Sequence, residues 1–297
     1  MNAKRFYSVA LILIVLVLGG CATSPEKPAM SDSEKQNRIQ SLITTAKEDQ
    51  AAGNFAVALL HYEQVLDLDA NNVSSLIGAG DSAYRLKKYS DAEKFYNRAV
   101  AVDANNLDAL EGRALTYFKQ EQYESARAAL TAVIQKDDSR WRSLDALGVL
   151  SDLDARYKQA QTYYRKALQS AGDNATILNN LGYSLIMTHD YRQAEKELKK
   201  AVSIDPQMFR ARNNYAIALA WQKRYQDAVE SLADVVPYEV AYNNVGYIAY
   251  LNKDFESAKY FLKKAISTSP TYYAEAAANL EKVIQAMETL KRKGSLP

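Results

Sequence analysis

The side chains of this 297-residue chain that could do covalent or metal chemistry are few: two histidines, one cysteine and the serine of a Gly-Tyr-Ser segment. Neither His61 nor His189 has a second histidine or a cysteine at metal-ligand spacing, so no metal site is expected and both are placed at solvated positions. Gly182-Tyr183-Ser184-Leu185-Ile186 lacks the second glycine of a nucleophile elbow. Cys21 is the only cysteine, which excludes an intramolecular disulfide and a thiolate metal site. These residues supply no catalytic set and call for no cofactor, so the chain reads as a non-enzyme. What remains is non-covalent recognition. Asn180, Asn214 and Asn244 offer amides, each with a donor and an acceptor that can pair with a peptide backbone of any sequence. Tyr183, Trp221, Tyr247 and Tyr250 lie near them, and Arg210 adds a charge. Large, fairly rigid side chains of this kind anchor protein interfaces.

The elements that must position these groups are helices. Glycine and proline are scarce, at 11 and 6, whereas alanine, leucine and 21 tyrosines abound. Ala58, Ala92, Ala126, Ala160, Ala194 and Ala228 follow one another at intervals of 34 residues. Three residues before each stands an aromatic: Phe55, Tyr89, Tyr123, Tyr157, Tyr191 and Tyr225. Four residues after each stands Tyr62, Tyr96, Leu130, Tyr164, Leu198 or Leu232. A seventh copy, Phe255, Ala258 and Leu262, comes after a shortened interval of 30. A small residue recurs upstream as Ala46, Gly80, Ala114, Gly148, Gly182, Ala216 and Gly246, and Pro206 and Pro270 close the fifth and seventh copies.

This period and these residue types resemble the tetratricopeptide repeat (TPR) family. The resemblance implies an all-α fold, a right-handed α-solenoid of about seven helix-turn-helix units with a C-terminal capping helix. The units fall at 39–72, 73–106, 107–140, 141–174, 175–208, 209–238 and 239–272. Within each, the small residue of helix A is expected where the alanine of helix B crosses it, and the aromatic opening helix B is expected to fill the gap to the next unit. A lone unit cannot bury its apolar face, so stability comes from stacking. Asn71-Asn72, Asn105-Asn106 and Asp173-Asn174 read as turns and N-caps. The helix over Tyr273–Leu290 has Leu280, Val283, Ile284 and Met287 on its inner face, and Glu275, Lys282, Gln285 and Glu288 are expected to point outward.

Counting each unit from its first residue, positions 4, 7, 8 and 11 of helix A face the partner helix. At 100° per residue, positions 2, 6, 9 and 13 gather on the opposite, concave face. They are Thr176, Asn180, Tyr183 and Met187 in unit five, then Arg210, Asn214, Ile217 and Trp221 in unit six. Unit seven has Val240, Asn244, Tyr247 and Leu251. Units one to four carry Thr44, Gly78, Gly112 and Ala146 at position 6, so the candidate groove lies in units five to seven. The carboxylate clamp of chaperone-binding TPR proteins is absent, because Ile43, Lys47, Ser74 and Asp108 stand at or near its positions. Four residues are missing at Val235-Val236-Pro237-Tyr238, which predicts an early stop to helix B and a kink or hinge before unit seven.

The first twenty residues read as a signal peptide, with Lys4 and Arg5 before an apolar run from Phe6 to Leu18 that is too short for a permanent span. Leu18-Gly19-Gly20-Cys21 resembles the bacterial lipobox, which implies a diacylglycerol thioether on Cys21 and cleavage before it. In a Gram-negative cell, with Ala22 rather than aspartate at the second position, the resemblance implies sorting to the inner leaflet of the outer membrane, facing the periplasm. Residues 21–30 form a lipidated tether, whose nine residues after the cysteine reach at most about 30 Å. The solenoid is expected over 31–272, with a capping box opening at Ser31 and Glu34, and the capping helix and tail over 273–297. Without Lys4 and Arg5 the 37 basic residues become 35, equal to the 35 acidic ones, which disfavours nucleic acid as a partner.

The lipobox, short tether, seven units and the NNLGYSL and YNNVGYIAYL segments together resemble the TadD-type assembly lipoproteins of the tight-adherence (Flp) pilus. That resemblance implies secretin or pilus-assembly components as protein partners. Type IVa pilotins share the layout with about six units, and adaptors recruiting cell-wall hydrolases or proteases are a third reading.

Overall fold

A computed structural model describes residues 30–293. Cys21, the apolar run before it and the tether up to Ala29 lie outside the described residues. Among those described there are fifteen α-helices and no strand. They pair as α1 (Asp32–Ala51) with α2 (Phe55–Leu68), α3 (Val73–Arg85) with α4 (Tyr89–Val102), and α5 (Leu107–Lys119) with α6 (Tyr123–Lys136). Next come α7 (Trp141–Leu153) with α8 (Tyr157–Ala171), α9 (Ala175–Met187) with α10 (Tyr191–Ile204), and α11 (Phe209–Trp221) with α12 (Tyr225–Ala233). The last pair is α13 (Tyr238–Leu251) with α14 (Phe255–Thr268), and α15 (Ala274–Arg292) follows alone. The first pair begins at Asp32, before the expected bound at 39, and α13 begins at Tyr238, the last residue of expected unit six; each helix packs on the next along the chain.

Local chemistry sets the boundaries. Ser31 opens α1 with a full capping box, its side chain accepting from the Glu34 amide while the Glu34 carboxylate accepts from the Ser31 amide. Asn72, Asn106 and Asn174 cap α3, α5 and α9, each side-chain oxygen accepting from a backbone amide of the first turn at 3.0–3.2 Å. The turns between the helices of units two to seven all carry one left-handed residue: Lys87, Glu121, Ala155, His189, Lys223 and Lys253, with φ of 57–63°. In unit one Gly53 takes that place at φ 80°.

Packing between the two helices of a unit departs from expectation in one respect. The repeating alanines are fully buried, but the side chain that meets the small residue of helix A is the one four positions after the alanine. A methyl built on Gly148 would lie 2.4 Å from the Tyr164 ring, and on Gly182 2.3 Å from Leu198. The larger side chain, not the alanine, needs the notch. Tyr62 and Tyr96 also press on the following unit, at Gly78 and Gly112. Their buried rings end in satisfied hydroxyls: Tyr62 donates to Gln50 at 2.9 Å, Tyr96 to Asp81 at 2.6 Å and Tyr164 to Asp152 at 2.8 Å. Burial lifts the Tyr62 phenol to about 12 and pushes Tyr96 and Tyr164 up further.

At the short junction α12 stops after Ala233 and Pro237 caps α13. The early stop to helix B is as expected, and packing is continuous across the junction. One hydrophobic cluster runs from Ala216 and Leu219 through Val229 and Leu232 to Val245, Leu262 and Val283. Tyr225 meets Phe261 edge to face at 5.9 Å across the junction. Arg212, with its side chain 11% exposed, repairs the truncated end, donating to the Ser231 carbonyl at 3.1 Å and pairing with Asp234 at 2.8 Å. The capping helix also differs from expectation. Val283 is buried and Leu280 and Met287 pack against the cluster, but Ile284 is 39% exposed. Glu275 and Lys282 do not point away; they turn toward α13, so α15 sits as the A helix of an unfinished eighth unit.

Candidate protein-binding groove

The A helices α1, α3, α5, α7, α9, α11, α13 and α15 touch in series, so their outer positions form one continuous surface. The expected groove residues lie on it. Tyr183 and Tyr247 are 42% and 38% exposed, and Arg210 is exposed with no ion-pair partner among the described residues. Trp221 is half-buried and stacks on Tyr191 with centroids 5.4 Å apart. Tyr250 contacts Tyr247 and Phe255 at about 6 Å, leaving the Tyr247 ring as the outer one.

The three amides do not form one open row. Asn180 donates to Asp145 at 3.1 Å and accepts from Asn179 at 3.3 Å, and Asn214 donates to the Asn179 oxygen at 2.9 Å. These bonds tie α7 to α9 and α9 to α11. Asn244 makes no side-chain hydrogen bond among the described residues, and neither does Asn213, which the sequence did not single out. Both line a cleft of about 390 Å³ with Ile217, Tyr247, Glu275 and Lys282, the last two from the capping helix. The signal for Asn213 was its place next to Asn214, on the side of α11 that faces forward to α13.

A second cleft, of about 410 Å³, lies over units one to four and was missed. Its apolar floor includes Tyr84, Leu115, Phe118 and Val149, and Trp141 stands at its edge. Arg85 lies over the Phe55 ring at 4.7 Å and Lys119 over Phe118 at 5.4 Å. Arg142 is held by buried Glu111 at 2.7 Å, which also accepts from Ser143 at 2.9 Å. Asp81 and Asp145 stand on the wall. Burial pushes both carboxyls above their usual range, opposed by the Tyr96 hydroxyl at Asp81 and by the Asn180 amide and Lys119 at Asp145. The missed signal was position 13, where Arg85 and Lys119 recur at the repeat interval.

The other singled-out groups have structural partners. His61 is half-buried against Asp49 at 3.0 Å rather than solvated, whereas His189 is exposed in its turn and meets the Tyr191 hydroxyl at 2.7 Å. Ser184 is buried and donates to the Tyr157 carbonyl at 3.0 Å. No group of three metal-binding side chains occurs among the described residues. No helix among them is long and apolar enough to cross a membrane.

Three family models described as Tetratricopeptide repeat match the chain: one over residues 84–147 and 185–242, one over 43–109 and one over 240–272. The fold is similar to that of a tetratricopeptide repeat protein from Parabacteroides merdae, with 18% identity over 84% of this chain and 99% of that one and a TM-score of 0.54. It is similar to the C-terminal part of a TPR repeat-containing protein from Cytophaga hutchinsonii, with 18% identity, coverage of 80% and 99%, and a TM-score of 0.59. It is also similar to PilF from Pseudomonas aeruginosa, with 16% identity, coverage of 77% and 99%, and a TM-score of 0.58. At these identities the likeness is one of fold. No curated protein matches the chain in sequence.

Proposed function

The chain belongs to the tetratricopeptide repeat family, and we propose that it works as a lipid-anchored scaffold that binds partner proteins along the A-helix groove. Repeats of this family build protein–protein interaction scaffolds, and the reading is one of binding rather than catalysis. The observation that carries it here is the run of open aromatic and amide groups on one face, Tyr183, Asn213, Asn244 and Tyr247, beside a cleft that the capping helix completes. Aromatics at the centre of such a face supply most of an interface's affinity.

The finer reading rests on the sequence resemblances. Cys21 carries the lipid, a tether of at most about 30 Å holds the solenoid beside the outer membrane, and the partners are secretin or pilus-assembly components of the TadD type. Photo-cross-linkers at Tyr183 and Tyr247 in the full chain, in membranes, test both parts. Capture of secretin or pilus subunits supports assembly, and capture of peptidoglycan hydrolases would instead make the protein an adaptor. Cys21→Ser is expected to move the protein from the membrane to the soluble fraction. Retention in the membrane would refute the anchor.

A further inference from the structure

The A helices run parallel, because each B helix returns the chain, so all of them begin along one edge of the solenoid. The chain enters from the tether on that same edge, where α1 starts at Asp32. The chemistry of the edge changes partway along. Its turns at 69–72, 103–106 and 137–140 read DANN, DANN and DDSR, and the turn before α9 holds Asp173 and Asn174. Val102 and Trp141 are exposed there, but singly, between those polar turns. The last three turns differ. They read PQMF at 206–209, VVPY at 235–238 and SPTYY at 269–273, with no charged residue in any of them. Around them Ile204, Phe209, Tyr238 and Tyr272 are 48%, 50%, 52% and 80% exposed. The helices that follow these turns, α11, α13 and α15, touch in series, so the four side chains belong to one stretch of the edge. Single exposed apolar residues are normal, whereas a group of them marks a contact with a protein or a membrane.

The form of the stretch favours a membrane. Neither of the two groove clefts includes any of the four side chains, which stand on turns at the rim and not in a hollow. A partner protein would need pockets matched to them, and a bilayer interface needs none. Tyrosine, with an apolar ring and a polar tip, is at home at the headgroup level. Pro206, Pro237 and Pro270 lack an N–H, so these turns bring fewer backbone donors to be desolvated. Asp234 is already paired with Arg212 at 2.8 Å, and Arg210, exposed beside Phe209, suits a lipid phosphate. We propose that the edge over α11, α13 and α15 rests on the bilayer that holds the anchor, with Phe209, Tyr238 and Tyr272 at the headgroups. This inference rests on the reading that Cys21 is lipidated, which puts a bilayer within about 30 Å of the start of α1. A tether at unit one alone leaves the other end of the array to swing. A second contact through this edge stands the A helices on the membrane and turns the groove sideways, parallel to it.

The test uses the full chain, carrying its own lipid, in phosphatidylcholine vesicles recovered by flotation. Tyr238→Trp in a Trp141→Phe/Trp221→Phe background places a lone indole on the edge. Trp141→Phe alone keeps Trp221, at the opposite end of α11, as the control. Lipids brominated on the acyl chains are expected to quench the edge indole at least about twofold and to leave Trp221 unquenched. Adding Phe209→Ser/Tyr272→Ser, both at exposed positions, is expected to cut that quenching by about half or more, with flotation and helical circular dichroism unchanged. Floated protein whose edge indole is quenched no more than Trp221, or is indifferent to the two serines, overturns the inference. So does an unquenched edge at which a cross-linker on Tyr238 captures a protein, which makes it a protein interface. Protein that does not float refutes the anchor itself and the inference with it, so the two failures are told apart.

Discussion

A methyl group on Gly112 would lie 2.3 Å from the buried Tyr96 ring. Alanine favours a helix interior over glycine by about 1 kcal/mol, so Gly112→Ala would stabilise an unpacked helix. Overpacking costs about 1–3 kcal/mol and outweighs that gain, so the variant is expected to melt at lower denaturant, and an unchanged midpoint would show that the ring swings aside. Asp145 makes a pH-dependent test. Burial raises its carboxyl, against the pull of the Asn180 amide and Lys119. A raised folded pKa favours the protonated form, so the carboxyl's contribution is full below the unfolded value of about 4 and is lost as pH rises through the folded value. Asp145→Asn keeps an acceptor for Asn180 and cannot ionise. Its melting temperature should match that of the unmodified protein near pH 4 and exceed it increasingly toward pH 7. A difference constant with pH would place the carboxylate in water. At this scale the sequence was only partly legible. Asn180 and Asn214 were visible at repeat spacing, but their bonds run between successive A helices, and no periodicity within one helix reports which neighbour an amide will meet. Glycine at position 6 looked like the lack of a ligand group, yet at Gly78 and Gly112 it is the seat of a tyrosine.

Helices were the most legible level. The 34-residue interval and the asparagine caps placed the paired helices, because a cap and a packing notch are local chemistry repeated in phase. At the junction after α12 the proline reported where the helix stops, but not what packs around the stop. The repair comes from Arg212, one helix earlier, whose guanidinium reaches the Ser231 carbonyl and Asp234. Arg212→Ala should cost about 2–3 kcal/mol, since it strips a half-buried helix end of its donor. Lysine should recover only part, because one ammonium cannot serve the fork of acceptors. Urea midpoints at constant m-value would read this, and a loss within about 0.5 kcal/mol would mean water serves as well.

At the scale of the molecule each unit leans only on its neighbours, so stability is close to a sum of unit and interface contributions. The last interface is closed by Val283, Leu280 and Met287 of α15. Ending the chain after Tyr273 should raise amide exchange through α13 and α14 and leave α3 to α6 protected as before. Uniform loss of protection would make the solenoid one cooperative unit. The groove was legible as a face but not as a site. Helical geometry placed Tyr183, Trp221 and Tyr247 on it, whereas the cleft over units one to four and the share taken by the capping helix depend on how eight A helices lie side by side.

Tyr96 sits between Gly80 of its own unit and Gly112 of the next. Replacing unit three by a copy of unit five would set an asparagine against that ring, in place of the glycine at position 112. The repeats therefore carry addresses as well as a shared pattern. An array of this kind does not lengthen freely by duplication or reshuffle by recombination, and a unit moved out of order would need its neighbour rewritten with it.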